Sequence, residues 1–348
     1  MSDALTPEAI ATADPAGMLG DVLAQPHQFS DAIWRVESAG IERGEHGRGL
    51  VVCGMGGSAI GGDLAAAAIG LRARAPITTI RGYDLPEWVG RDTLVLCASY
   101  SGNTEETLNC FEQATSAGAP RVVVTTGGKL AEAAREAGVP VIGVPSGMQP
   151  RAAVVYMTVA ALEVAELAGA SPSLRGEIEE SASLVRDLAG RWGPEAGGDS
   201  DAKRIALALL NRIPVVYGGP MTTAPARRWR SQLNENSKIP AFYGELPEAH
   251  HNEVVGWHHT HAPLTAVILE GPGEHERMGA RFDITAEVAK AAGLQVQRVR
   301  AHGDSPVALV MSLVFLGDLV SVYLGVLLGK DPTPVAEIET LKARLSER

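Results

Sequence analysis

From Gly49 onward the chain repeats one theme: a short apolar run, a glycine-rich turn, then an alanine-rich stretch with helical spacing. The apolar runs are GLVVCGMG, APITTIRGYD, DTLVLCASYSGNT, PRVVVTTGG and VPVIGVPSG, and helical stretches separate most of them at 63–71, 105–118 and 129–138. Short apolar strands without polar alternation are buried on both faces, and strands alternating with helices build a parallel sheet covered on both sides. Residues 151–192 read as helix with few breakers, and GPEAGGDSD (193–201) reads as a linker. The theme then restarts. IPVVYGGPMTTAPARRWRSQL is strand, turn and helix, while LTAVILEGPG and LQVQRVRAHG are strands around the helix DITAEVAKAAG.

The expected architecture is α/β: two doubly wound subdomains with parallel sheets flanked by helices. An N-terminal helical segment (1–48) precedes the first subdomain (49–192). A linker (193–204) leads to the second (205–303), and helices close the chain (304–348). A length of 348 residues suits about two domains. The run PVALVMSLVFLGDLVSVYLGVLLG (306–329) is long enough to span a bilayer. Asp318 near its middle would cost ~3 kcal/mol there. With Ser312 and Ser321 it reads instead as a helix buried between layers.

Charge and cysteine content narrow the class. A net charge of −11 argues against a nucleic-acid partner, which needs a basic face. The one basic cluster, ARRWR (226–230), reads as a solvated or phosphate-facing helix start. Cys53 and Cys97 lie in apolar runs, Cys110 is the third cysteine, and no C-x-x-C spacing occurs, so structural thiols are expected. The first basic residue is Arg35, so the charged start of a secretory signal is not seen and a cytoplasmic location is expected.

The stretch GLVVCGMGGSAIGGDL is a strand, a glycine loop and a helix start, which is an anion site. Gly54, Gly56 and Ala59 match a dinucleotide fingerprint, but the acid expected at the end of the second strand is replaced by Arg81, with Asp84 beyond it. A single phosphate fits better. LVLCASYSGNTEET puts Ser99, Ser101 and Thr104 in one turn before a helix, and Ser58 adds a hydroxyl from the first loop. Helix capping explains one or two of these hydroxyls. Two matched loops at adjacent strand ends point to one phosphate pocket.

The motifs GMGGSAIGGDL and SYSGNTEET are similar to the two phosphate loops of a sugar isomerase (SIS) domain. With QPRAAVVY, LNENSK and HHNEVVGW, in that order, the chain resembles the bifunctional phosphoglucose/phosphomannose isomerase family from about residue 20 to its end. The resemblance implies an aldose–ketose isomerase acting on sugar 6-phosphates through a cis-enediol, with no metal or organic cofactor. It implies phosphate binding by Gly57, Ser58, Ser99, Ser101 and Thr104. Glu235 falls on the family's proton-shuttling glutamate, although by residue type alone it also reads as a solvated helix-end glutamate. A carboxylate suits this task where burial raises its pKa toward neutrality. His251 falls on the ring-opening acid/base, with His250 as the rival. Arg151 falls at the substrate's reacting end. Lys342 matches a C-terminal active-site lysine, with Lys330 as the alternative. The resemblance also implies a homodimer whose second subunit supplies the histidine. The histidine-rich EAHHNEVVGWHHTH lacks H-E-x-x-H, so zinc is not expected, and His258, His259 and His261 read as surface histidines. The competing class is a sugar-phosphate sensor, which needs the phosphate loops but neither the base nor the arginine. No helix-turn-helix or membrane partner is expected.

Overall fold

The computed structural model describes residues 2–44 and 46–347. The N-terminal segment forms α1 (Pro7–Ala13), α2 (Met18–Leu23) and α3 (Gln25–Ser38). The first α/β half follows as β1 (Leu50–Cys53), α4 (Gly56–Ile69), β2 (Ile77–Ile80), β3 (Leu94–Ala98), α5 (Glu105–Ser116), β4 (Arg121–Thr125), α6 (Gly128–Glu136) and β5 (Val141–Gly143). Helices α7 (Val154–Leu167), α8 (Arg175–Trp192) and α9 (Asp201–Ala208) lead to the second half. That half contains β6 (Ile213–Gly218), α10 (Thr223–Asn236), β7 (Phe242–Glu245), α11 (Val254–Trp257), β8 (Leu264–Glu270), α12 (Arg277–Ala291) and β9 (Gln295–Arg300). Helices α13 (Pro306–Leu327) and α14 (Ala336–Ser346) end the chain.

All strand pairs are parallel. The first sheet has the order β2-β1-β3-β4-β5 and the second the order β7-β6-β8-β9. Strand for strand, β6, β7, β8 and β9 repeat the arrangement of β1, β2, β3 and β4. The duplication expected from the repeated strand–turn–helix theme is therefore present in the topology. In each sheet the order reverses at the first strand, and a crevice opens outside the carboxyl ends there.

One core joins the halves. Val52, Leu96 and Met157 from the first half pack in the same buried cluster as Val216, Trp229 and Leu269 from the second. Helix α13 runs through it and is buried along nearly its whole length, as its unbroken apolar sequence requires. Asp318 on this helix is 1% exposed and pairs with Arg228 at 2.7 Å, and Gln25 Nε2 donates to it at 2.7 Å. A charge in the middle of an apolar helix is tolerated because it is paired and hydrogen-bonded.

Three local readings differ from the sequence. The ARRWR cluster is not a solvated helix start but lies inside α10, and its side chains divide. Arg228 and Trp229 point into the core, with Trp229 Nε1 donating to Leu313 O at 2.7 Å, while Arg227 and Arg230 lie over the Tyr243 ring. Tract 151–192 is broken at 168–174, where the sequence is AGASPSL. Strand β7 was not anticipated. It spans four residues, contains Gly244, is preceded by Pro240, and lies at a sheet edge with Phe242 56% exposed, so it carries no apolar run. Within the stretch read as a linker, Lys203 Nζ donates to Pro194 O and Ala196 O at 2.7 and 2.8 Å, and α9 begins at Asp201.

Candidate active site

Strands β1 and β3 are neighbours in register, Leu50 to Cys53 against Leu94 to Cys97, so the two glycine- and hydroxyl-rich turns that follow them lie side by side. Neither following helix is capped by its own N-cap side chain. Met55 precedes α4 without a cap bond, and Thr104 precedes α5 without one. Ser58 N donates to Met55 O at 3.0 Å, and no N-cap side chain takes the remaining first-turn amides of either helix.

The hydroxyls are held for that task. Ser58 Oγ accepts from Tyr100 N at 3.1 Å, linking the two turns. The Ser99 and Thr104 hydroxyls lie 2.8 Å apart, and Ser99 Oγ accepts from Gly102 N at 3.1 Å. Ser101 is exposed at the tip, and its Oγ accepts from Asn103 N at 3.3 Å. Gly102 has φ +67° and packs so closely on Gly127 O that a Cβ would come within 1.8 Å, which restricts this position to glycine.

Gly57 connects this cradle to the rest of the site. A Cβ there would lie 2.9 Å from Pro150 O and 3.0 Å from Arg151 Cα. The absence of a side chain lets the α4 turn rest on the 3-10 turn Pro150–Ala153. Tyr100 fixes the approach to that turn, its hydroxyl donating to Pro145 O and accepting from Met148 N, each at 3.0 Å.

Arg151 is 3% exposed and uses most of its donors. Nε donates to Asn236 Oδ1 at 2.7 Å, and Nη2 donates to Pro332 O at 2.9 Å and Thr333 O at 2.6 Å. Nη1 lies 3.3 Å from Gln149 Oε1 and 3.6 Å from Glu235 Oε2. Burial pulls this guanidinium below its ordinary value, and Glu235 pulls it back up. Glu235 sits in the last turn of α10, its side chain 28% exposed, on a cavity of about 520 Å3 lined by Asn234, Glu235, Lys238, Ile239, Phe242 and Glu337. A carboxylate open to a cavity beside a buried guanidinium can exchange a proton with a bound molecule while the cation steadies negative charge.

The two adjacent histidines separate. His250 Nε2 lies 2.7 Å from Thr285 Oγ1, and Arg281 Nη1 lies 3.1 Å from its Nδ1. Burial and then the Arg281 charge push His250 below its ordinary value. His251 ends the turn Glu248–His251 and is exposed, as are His258, His259 and His261. Lys342 is exposed on α14, and Lys330 is exposed just after α13. Among the described residues His251 and Lys342 make no hydrogen bond or ion pair with Arg151, Glu235 or the β1 and β3 turns. Ser58 is thus bonded to the turn that holds Ser99, Ser101 and Thr104, Gly57 rests on Arg151, and Arg151 faces Glu235, while His251 and Lys342 lie on the surface.

A bifunctional phosphoglucose/phosphomannose isomerase from Caldicellulosiruptor bescii is 41% identical over 303 residues, covering 86% of this chain and 89% of the relative. This chain belongs to the bifunctional phosphoglucose/phosphomannose isomerase family. A relative of the same name from Aquifex aeolicus is 37% identical, covering 86% of this chain and 91% of its own. The family model described as the bacterial phospho-glucose isomerase C-terminal SIS domain matches residues 198–345. Solved structures agree on the fold. A glucose-6-phosphate isomerase like protein from Thermus thermophilus superposes with a TM-score of 0.62 at 20% identity, covering 97% of this chain and 98% of that one. The C-terminal domain of glucosamine-fructose-6-phosphate aminotransferase from Francisella tularensis gives 0.65 at 16%, covering 88% and 96%.

Within this family member the two halves are not equivalent. The turn after β6 corresponds to the glycine-rich turn after β1, but a carboxylate of the chain sits on it. Glu274 Oε1 accepts from Met221 N at 2.9 Å. Burial pushes Glu274 up, and the Met221 and Thr222 amides pull it back. Sequence reasoning missed Asn236 and Gln149, which orient Arg151, and the carbonyls of Pro332 and Thr333. Asn236 was legible in principle, being adjacent to Glu235 in LNENSK. The Pro332 and Thr333 carbonyls are backbone groups and have no sequence signal.

Proposed function

We propose that this protein is an aldose–ketose isomerase that interconverts glucose 6-phosphate, mannose 6-phosphate or both with fructose 6-phosphate through a cis-enediol. The observation that carries the reading is the Arg151–Glu235 pair at 3.6 Å, joined through Gly57 to an uncapped, hydroxyl-lined cradle. The phosphate rests in that cradle on Gly57, Ser58, Ser99, Ser101 and Thr104. Glu235 removes the proton from C2 of the open-chain aldose. The electron pair of the C2–H bond forms the C1–C2 double bond, and the former carbonyl oxygen becomes the enediolate oxygen beside Arg151. A proton passes from the C2 hydroxyl to O1 as the C2 carbonyl forms, and Glu235 returns its proton to C1, which completes the ketose. Each step is a proton transfer between substrate and side chains, so the reaction requires no metal or organic cofactor.

Ring opening precedes this, and His251 is the acid/base for it. Its exposure supports a site completed by a second copy of the chain, which brings His251 to the partner's Glu235. Helix α14 supports the same homodimer. Ile338, Leu341 and Leu345 are 42%, 59% and 51% exposed along it, and Lys342 lies on the same helix. Three free, buried cysteines suit the cytoplasm. A sensor would need the cradle but not the buried arginine facing a carboxylate. The direct test follows fructose 6-phosphate formation from each aldose phosphate with chelator present. Turnover with either substrate supports the proposal. Tight binding of both without turnover overturns it in favour of a sensor.

A further inference from the structure

Lys238 ends α10 in a conformation that glycine normally takes. It follows the C-cap residue Ser237 with φ +58°. A residue in this left-handed position commonly terminates a helix, but a long side chain is disfavoured there. Asn211 is the other non-glycine residue with positive φ among the described residues, and asparagine tolerates that backbone better.

The conformation sends the ammonium back over the helix end. Lys238 Nζ donates to the backbone carbonyl of Glu235 and to Pro332 O at 3.0 Å. The same Pro332 carbonyl accepts from Arg151 Nη2 at 2.9 Å. Two cations thus converge on one acceptor: Arg151 lies 3.6 Å from the Glu235 carboxylate, and Lys238 holds the Glu235 backbone carbonyl. Lys238 also lines the cavity onto which Glu235 opens. Bringing a second positive charge next to a buried guanidinium is unfavourable, and a helix that needed only an end would have been served by glycine. Strain of this kind persists where surrounding contacts demand it, and it gathers at functional sites.

We propose that Lys238 is a positioning residue for the isomerisation: it ties the backbone of Glu235 to the 332–333 segment that Arg151 also grips, and so fixes the distance between base and guanidinium. The inference rests on the reading of Glu235 as the base. Burial, and after it the Arg151 charge, pulls the Lys238 ammonium below its ordinary value. The groups facing it are Arg151, Asp331, Glu235 and Glu337. As pH rises, Lys238 therefore loses its proton before an ordinary lysine does. Activity then falls on the alkaline side. Over the same window its contribution to stability rises, because the unfolded chain still binds the proton that the folded chain has lost.

The test compares Lys238→Gly, Lys238→Arg and Glu235→Gln in the full chain. Glycine relieves the backbone, so Lys238→Gly should melt at the same temperature as the parent or higher. Its kcat should nonetheless fall about ten- to a hundredfold with KM for the sugar phosphate little changed, as expected when a catalytic group drifts by about 1 Å. Its alkaline limb of kcat should shift, and Lys238→Arg should restore much of the rate. Lys238→Asn, which also accepts this backbone, serves if the glycine variant is poorly behaved. Wild-type kcat and pH profile in Lys238→Gly, with Glu235→Gln inactive, would reduce Lys238 to a helix terminator and leave the base assignment intact. Wild-type kcat in Glu235→Gln would overturn both.

Discussion

Arg151 Nη1 lies 3.6 Å from Glu235 Oε2, although the two residues are 84 positions apart and belong to different α/β halves. The pair spans the seam between the halves, so the proposed chemistry depends on how they are packed. Arg151 arrives on the turn before α7 and Glu235 on the last turn of α10, and Asn236 bonds Arg151 directly at 2.7 Å.

The proposed phosphate cradle and this pair meet at Gly57. Gly57→Ala places a methyl group against the Pro150 carbonyl and the Arg151 backbone, which cannot swing away as a side-chain tip would. Both KM for sugar phosphate and kcat should worsen. Ser101→Ala with Thr104→Ala should raise KM by about 10²–10⁴ and leave kcat nearer the parent, because only two phosphate bonds of ~1.5–3 kcal/mol each are lost. Steady-state kinetics on the two variants distinguish them. Equal effects on KM alone would show that Gly57 does not transmit to Arg151.

The buried Arg228–Asp318 pair carries a stability prediction. Asp318→Asn leaves a guanidinium 2% exposed without its counter-charge and should cost about 3–5 kcal/mol. The double replacement Arg228→Met with Asp318→Leu removes both charges and should recover most of that loss. Denaturant titration reads both. A double variant as unstable as the single one would mean that the pair holds α10 to α13 in a way apolar packing cannot replace.

His250 and His251 should behave differently. The folded value of His250 lies below its ordinary one. On acidification the unfolded chain therefore takes up the proton first, and stability is lost as pH falls through and below the ordinary histidine range. His250→Asn should flatten the stability slope between about pH 7 and 5. His251→Ala should slow turnover of closed-ring sugar more than that of open-chain substrate. The opposite pattern in melting curves and rates would exchange their roles.

The fold was legible where sequence pattern and environment agree. The strands β1, β3 and β4 are buried on both faces and therefore read as continuous apolar runs. The buried course of α13 followed from the single charge at Asp318, since a bilayer would exclude what a paired core site accepts. Strand β7 was not legible, because an exposed edge with Gly244 imposes no apolar pattern. The ARRWR cluster was misread for a related reason. Its charges suggested solvent, but Arg228 has a partner 90 residues away that no local pattern reveals. At the site, the hydroxyl turns were visible because their serines, threonines and glycines mark them in the sequence. The carbonyls of Pro332 and Thr333 and the left-handed backbone of Lys238 leave none.

The most direct test of the account follows the proton. Wild-type protein incubated with fructose 6-phosphate in deuterium oxide should exchange hydrogen at C1 and build up deuterated aldose phosphate, read by NMR. Glu235→Gln preserves size and hydrogen-bonding shape and removes the base. Its exchange rate should fall by about 10²–10⁴, with sugar-phosphate binding nearly unchanged. Exchange at the wild-type rate in Glu235→Gln would contradict the assignment of Glu235 as the base that moves the proton between C1 and C2.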